Sequence, residues 1–72
     1  MHYKDVISIL KKRRKELNLT QNDLSEISGI GLRTIKEIES PDGNPTLGTI
    51  IKLLDVMGME IEIKVKELTK GK

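Results

Sequence analysis

The segment "LRTIKE", Leu32 to Glu37, concentrates side chains that can form hydrogen bonds with the edges of base pairs. Arg33 can donate two hydrogen bonds to O6 and N7 of a guanine, which makes it the first candidate for sequence readout. The same arginine could also be a solvated charge on a helix surface. Lys36 can reach a base or a phosphate. These donors can act together only if one helix presents them to a groove of double-stranded DNA.

Three other residues of this segment each permit two roles. Leu32 could contact a thymine methyl group, or it could pack at the edge of the core because it lies three residues before Ile35. Thr34 could bind a phosphate or simply help to start a helix. Glu37 could accept a hydrogen bond from a cytosine amine, or remain an exposed acid that disfavours some sequences.

Catalytic and metal-binding chemistry has little support in the sequence. The chain has no cysteine, and its one histidine, His2, lies near the N-terminus, where it is expected to be mobile and without a role. No serine or carboxylate stands in a recognisable pairing with a base. We therefore predict no enzymatic activity, no metal site and no cofactor.

Apolar residues at helical spacing predict a first helix over about residues 4–17. Its inward stripe is predicted to hold Ile7, Leu10, Arg14 and Leu17. Arg14 is the charged member of this stripe. Because burial of an isolated charge is costly, Arg14 requires a partner.

A short second helix is predicted from Gln21 to about Ser28. Thr20 and Asp23 form a capping-box pattern at its start. Its predicted inner face holds Leu24 and Ile27.

A tight turn and two further helices are predicted next. Gly29 supplies the permissive backbone of the turn, and the third helix is predicted over about residues 31–39, with Ile35 and Ile38 inward. The fourth helix is predicted to begin at Thr46 and to end at Gly58. Its predicted apolar face holds Leu47, Ile50, Ile51, Leu54 and Met57.

The segment "MEIEIKVK", residues 59–66, alternates apolar and charged residues, which is typical of a half-buried β-strand. One face holds Met59, Ile61, Ile63 and Val65, and the other holds Glu60, Glu62, Lys64 and Lys66. The chain offers no partner strand. Antiparallel pairing of two copies about Ile63 places each glutamate opposite a lysine. We therefore predict a homodimer joined by this dimerisation strand, with residues 67–72 as a frayed tail.

The chain has 72 residues, enough for one domain, which we place at residues 1–58. Its net charge is only +2, so total charge does not by itself indicate a nucleic-acid partner. The basic run "KKRRK", residues 11–15, is either a solvated helix face or part of a binding surface. No apolar run approaches the length of a membrane span, so we expect a cytoplasmic protein without a membrane partner.

The stretch "LTQNDLSEISGIGLRTIKEIES" resembles the lambda-repressor-like (Xre-type) helix-turn-helix family. The resemblance extends through "PTLGTIIKLLDVMG", which is similar to the fourth helix of that family. Residues 39–63 resemble, more narrowly, HipB-type antitoxins, in which a terminal strand follows the helical domain. The fold class implied is mainly α: a four-helix lambda-repressor-like domain whose C-terminal strand pairs antiparallel with that of a second subunit.

The resemblance also implies roles for individual residues. Gln21 matches a glutamine that typically touches phosphate and braces the recognition helix. Arg14 matches an arginine that pairs with the glutamate at the end of that helix, here Glu39. The positions that usually face the groove are Leu32, Arg33, Lys36 and Glu37. Free backbone amides at the helix starts near Gln21 and Leu47 suit phosphates, and Asn44 and Thr46 flank the second of these starts.

The function implied is a double-stranded DNA-binding transcriptional regulator, expected to be a repressor that binds an inverted-repeat operator as a homodimer. HipB-type antitoxins also neutralise a HipA-type kinase toxin, so a HipA-like toxin kinase is a second expected partner. The alternative is a protein-interaction module that mainly neutralises such a toxin, with DNA binding secondary or absent.

Overall fold

The computed structural model describes residues 2–66, except for the side chain of Tyr3, and these residues contain four helices. The helices are α1 (Tyr3–Glu16), α2 (Gln21–Ser28), α3 (Leu32–Ile38) and α4 (Leu47–Val56). The predicted order of helices is confirmed, with ends that differ from the prediction by one or two residues. The predicted frayed tail, residues 67–72, lies outside the described residues.

Capping residues explain where α2 begins and ends. Thr20 Oγ1 accepts a hydrogen bond from the amide of Asp23, and Asp23 Oδ2 accepts one from the amide of Thr20, each at 2.9 Å. This reciprocal capping box satisfies two amides that the helix itself leaves unpaired. Gly29 ends the helix at a φ of 78°, a left-handed conformation that glycine adopts without strain.

His2 caps α1, and the expectation that it has no role was wrong. His2 Nδ1 accepts a hydrogen bond from the amide of Lys4 at 3.1 Å, and Asp5 Oδ2 accepts one from the amide of His2 at 3.3 Å. A histidine is an uncommon N-cap, which is why residue type alone did not suggest it.

The core is one cluster to which all four helices contribute. Its buried apolar members are Ile7, Leu10, Leu24, Ile35, Ile38, Ile50, Leu53, Leu54 and Met57. Leu53 was not predicted among them. Arg14 and Ser28 are the buried polar residues of the described chain.

Four residues predicted to face inward are exposed instead: Leu17 by 37%, Ile27 by 53%, Leu47 by 62% and Ile51 by 43%. In α2 the buried stripe runs through Leu24 and Ser28, which leaves Ile27 at its edge. In α4 the stripe is centred on Ile50, Leu53 and Leu54. Leu47 and Ile51 therefore form an apolar flank that residues 2–66 leave uncovered.

Residues 59–66 have no regular secondary structure in the described chain, so the predicted strand is not observed there. Gly58, at a φ of 72°, leads the chain out of α4, and the amide of Met59 donates to the carbonyl of Leu54 at 2.9 Å. Beyond that bond the backbone has nothing to pair with, because a strand requires a second strand for its hydrogen bonds. Ile61, Ile63 and Val65 are all exposed.

Among residues 2–66, no helix has both the length and the apolar character needed to cross a bilayer.

Candidate nucleic-acid interface

The turn between α2 and α3 is held by two serines. Ser25 Oγ donates to the carbonyl of Ile30 at 2.6 Å, and Ser28 Oγ accepts from the amide of Ile30 at 3.1 Å. Because the backbone groups of Ile30 are bonded on both sides, the turn cannot open freely. The two helices are thereby joined at a defined angle, as a helix-turn-helix requires.

A buried ion pair fixes the other end of α3. Arg14 Nε lies 2.8 Å from Glu39 Oε2, and Arg14 Nη2 donates to Glu39 Oε1 at 2.9 Å. The third guanidinium nitrogen, Nη1, donates to the carbonyl of Leu19 at 2.7 Å. The Arg14 and Glu39 side chains are only 10% and 6% exposed. One side chain of α1 therefore holds both the residue that follows α3 and the connection that precedes α2.

Gln21 joins the same network at the start of α2. Its Nε2 donates to Glu39 Oε1 at 3.0 Å. Burial raises the pKa of the Glu39 carboxyl, but the hydrogen bonds from Arg14 and Gln21 and the nearby positive charges lower it more strongly. The combined effect lowers the pKa of Glu39 below its ordinary value of 4.5, so the carboxylate is charged at neutral pH.

The outer face of α3 presents polar side chains to solvent. Arg33 and Glu37 are 93% and 68% exposed, with Arg33 Nε 3.9 Å from Glu37 Oε2. Thr34 and Lys36 are exposed on the same short helix. Leu32 is half-buried and lies outside the core cluster, a position compatible with both of its predicted roles.

A shallow groove between α3 and the start of α4 brings together four of the predicted DNA-binding residues. They are Thr34, Glu37, Asn44 and Thr46. Thr46 Oγ1 caps α4 by accepting from the amide of Thr49 at 3.2 Å, so this hydroxyl already has a structural role. Leu32, Arg33, Lys36 and Gln21 are not part of the groove lining.

Gly43 allows the α3–α4 loop to approach α3 closely. A Cβ atom at this position would lie 2.8 Å from the carbonyl oxygen of Glu37 and closer still to that of Ile38. Any other residue would therefore displace the loop that carries Asn44. The contact of this loop with α3 was not predicted from the sequence.

The basic run at residues 11–15 divides into structural and exposed members. Arg13 Nε donates to the carbonyl of Met57 at 3.0 Å, across 44 residues of sequence, and so caps the C-terminal end of α4. Arg14 belongs to the buried pair. Lys11, Lys12 and Lys15 are exposed. The role of Arg13 had no signal in the sequence, because its acceptor is a backbone carbonyl on a distant helix.

Within residues 2–66, no group of three or more histidine or acidic side chains is arranged to hold a metal ion.

The chain belongs to a helix-turn-helix family, whose model matches residues 10–64. This is the Xre-type, lambda-repressor-like class that the sequence resembles. The chain is similar to an uncharacterized HTH-type transcriptional regulator, y4mF, of Sinorhizobium fredii, with 32% identity over 82% of this chain and 78% of the relative. It is also similar to RstR, a transcriptional repressor of the cryptic phage CTXphi in Vibrio cholerae, with 34% identity over 74% of this chain and 47% of RstR. No solved structure matches the chain.

The buried pair leads to a prediction about stability. Glu39→Ala is expected to lower the free energy of unfolding by about 3 kcal/mol, because Arg14 then keeps a buried charge without its carboxylate partner. Urea denaturation measures this loss. Glu37→Ala, at an exposed position on the same helix, is the matched control and is expected to change stability by less than about 0.5 kcal/mol. Equal stability of the Glu39→Ala variant and the wild-type chain would contradict the role assigned to the pair.

Acid is expected to weaken the same pair. Since the pKa of Glu39 is lower in the folded state than in the unfolded state, its stabilisation is complete above the unfolded-state pKa and is lost as the pH falls through the folded-state pKa. The stability difference between the wild-type chain and Glu39→Gln should therefore shrink from about pH 6 to about pH 3. Asp23, whose pKa is lowered by its hydrogen bonds to Thr20, titrates in both proteins and cancels. A difference that stays constant with pH would contradict this account.

Proposed function

We propose that this protein is a sequence-specific, double-stranded DNA-binding transcriptional regulator that acts as a repressor. The observation that carries the proposal is the exposed polar face of α3, held at one end by the hydrogen bonds of Ser25 and Ser28 and at the other by the buried pair of Arg14 and Glu39. The similarity to RstR, which is named a transcriptional repressor, supports the direction of regulation.

In this proposal α3 lies in the major groove as the recognition helix. Arg33 reads a guanine through O6 and N7, and its exposure leaves the guanidinium free to turn away from Glu37. Lys36 reaches a neighbouring base or phosphate. Leu32 and Glu37 lie at opposite ends of α3 and contribute to preference for particular bases rather than to general affinity.

Phosphate contacts are proposed on both sides of α3. Gln21 uses one N–H of its amide on Glu39, which leaves the second N–H for a phosphate oxygen. Asn44 and Thr46 stand at the start of α4, where free amides and the helix dipole favour an anion. Thr34 lines the same groove and is proposed to contact a phosphate of the DNA strand that Asn44 and Thr46 bind. These contacts position the protein without reading sequence.

The active form is proposed to be a homodimer in which residues 59–66 of two copies pair as antiparallel strands. Glu62 Oε1 lies 3.3 Å from Lys64 Nζ, a contact between residues i and i+2 that extended backbone allows because both side chains share one face. Antiparallel pairing about Ile63 brings Glu62 opposite Lys64 of the partner subunit. It also brings Glu60 opposite Lys66 of the partner subunit.

The uncovered apolar flank of α4 fits this dimer. Leu47, Ile51, Ile61 and Ile63 line one concave surface of the described chain. A second copy that adds its strand would cover this surface. Burial of apolar surface away from water is the main driving force for such association. The twofold axis would then place two recognition helices about 34–36 Å apart, matched to an inverted-repeat operator.

Neutralisation of a toxin is the second candidate function. The C-terminal resemblance to HipB-type antitoxins is the observation that favours it, and a HipA-like kinase would be the protein neutralised. A kinase-like reading frame beside the gene for this chain would support that role, and both functions are compatible with one dimer. If toxin neutralisation is the main function, the exposed face of α3 should be insensitive to added DNA.

The DNA-binding surface can be mapped without knowing the operator. We expect that adding a random-sequence duplex of about 20 bp at about 50 mM salt shifts the amide NMR signals of Gln21, of residues 33–37, and of Asn44 and Thr46 most strongly. The variant Arg33→Ala with Lys36→Ala should bind more weakly, whereas Lys52→Ala, at an exposed position on α4, should behave like the wild-type chain. Shifts confined to Leu47, Ile51 and residues 59–65 would contradict this interface.

The dimer is tested at the centre of the dimerisation strand. Ile63→Lys is expected to give monomers with weak DNA binding, because it places two charges side by side at the twofold axis. Sedimentation measures the oligomeric state. Since Ile63 is almost fully exposed in the single chain, the substitution should leave the melting temperature of the helical domain nearly unchanged.

Charge reversal tests whether Glu62 faces a lysine of the partner across the dimer. Glu62→Lys should weaken the dimer because it opposes a lysine in the partner, and Glu62→Lys combined with Lys64→Glu should restore it. A dimer that is stable in the Ile63→Lys variant, or a double reversal that fails to rescue Glu62→Lys, would contradict the proposed pairing.

A further inference from the structure

We infer that α1 carries a second phosphate-binding surface, formed by Lys4, Ser8, Lys11, Lys12 and Lys15, which contacts the DNA backbone beside the recognition helix. We call these five residues the α1 basic stripe. The inference deepens the proposed function and rests on it, because it assigns to the same DNA a contact surface on a helix outside the helix-turn-helix.

Helix geometry places the stripe on one face of α1. At 100° per residue its five members fall within an arc of about 100°, and from Lys4 to Lys15 it extends about 16 Å along the axis. All five residues are exposed. The buried side of α1, with Ile7, Leu10 and Arg14, lies next to this arc, so the stripe borders the side of α1 that packs on the rest of the domain.

The lysines of the stripe form no ion pair that holds the fold together, although the charge of Lys11 helps to lower the pKa of Glu39. Within residues 2–66, none of them forms an ion pair with a carboxylate at 4.0 Å or less. The two arginines of the same basic run contrast with them, because Arg13 caps α4 and Arg14 is buried against Glu39. The carboxylates of α1 are also engaged: Asp5 caps the helix, and Glu16 lies 3.8 Å from Arg13.

The stripe is continuous with the proposed recognition surface. Lys4, Ser8 and Lys11 line a shallow groove together with Glu39, Ser40 and Pro41, the residues that directly follow α3. Glu39 in turn bonds Gln21, a proposed phosphate contact. Ile9, an exposed apolar residue of α1, lies about 110° from the middle of the stripe. It lines a cavity with Met59 and Ile61, on the side of the proposed dimer contacts.

The chemistry of the stripe fits a polyanion of regular charge spacing. It contains four cations and one hydroxyl and no large apolar side chain, whereas protein interfaces usually need apolar or aromatic anchors. Duplex DNA carries one negative charge per about 1.7 Å of its axis when both strands are counted, so a length of about 16 Å carries roughly nine phosphates around its circumference. Each lysine that binds a phosphate releases a counterion, which makes the contact measurable through salt dependence.

The test uses the full chain carrying Lys11→Gln and Lys15→Gln, titrated with the random-sequence duplex of about 20 bp at salt concentrations from about 50 to about 200 mM. The slope of log affinity against log salt should be smaller in magnitude by about 1.8 per chain, which is about 0.9 for each lysine. Lys11→Arg with Lys15→Arg should keep the wild-type slope. Lys52→Gln, an exposed lysine of α4, is the control for a general loss of charge and should change the slope by much less.

The outcomes separate the inference from the proposed function. If the wild-type chain binds the duplex and the Lys11→Gln, Lys15→Gln variant has the same slope, the stripe does not contact DNA and the inference is overturned, while the proposed function stands. If the wild-type chain binds no duplex, both are overturned. Melting temperatures of the variants, expected to be unchanged because these side chains are exposed, exclude misfolding as the cause of a smaller slope.

Discussion

The ion pair between Arg14 and Glu39 is the interaction on which the rest of the structure depends. Its bidentate geometry joins α1 to the residue after α3, and the remaining guanidinium nitrogen holds the carbonyl of Leu19 before α2. Gln21 closes the network from the start of α2. Three helices are thus tied at one buried point, in a chain whose core is too small to orient short helices by packing alone. The direction in which α3 faces solvent is a consequence of this network.

A second constraint comes from apolar surface that the single chain leaves uncovered. Leu47 and Ile51 on α4 and Ile61 and Ile63 beyond it are exposed in the described chain. Residues 59–66 have the alternation of a strand, but within residues 2–66 their backbone has no partner strand. In the proposed dimer, a second copy would pair with the backbone of this segment, and the strand it contributes would also cover the apolar flank. For this reason the dimer and the DNA-binding geometry are one proposal, in which the twofold axis sets the distance between recognition helices.

The sequence predicted the helices well because their ends carry local signals. The capping box of Thr20 and Asp23 marks the start of α2, and Gly29 marks its end. Arg14 was identified as needing a partner because it interrupts an apolar stripe. Four inward assignments were wrong, because an apolar pattern allows several overlapping stripes on a helix and only the neighbouring helices select one. The four residues are Leu17, Ile27, Leu47 and Ile51. Arg13 could not be assigned because its bond to Met57 depends on the folded chain. The predicted strand over residues 59–66 was not observed, because the described chain offers its backbone no second strand to pair with.

The polar face of α3 was found from residue type, but whether it reads DNA depends on poses that residue type does not determine. The most direct measurement is selection of bound duplexes from a random pool at about 150 mM salt, where weak contacts to phosphates alone are suppressed. The account predicts enrichment of an inverted repeat with half-sites about one helical turn apart, including a guanine whose preference is lost in Arg33→Ala. Folded protein that enriches no sequence would contradict the account and would favour a protein partner as the main ligand.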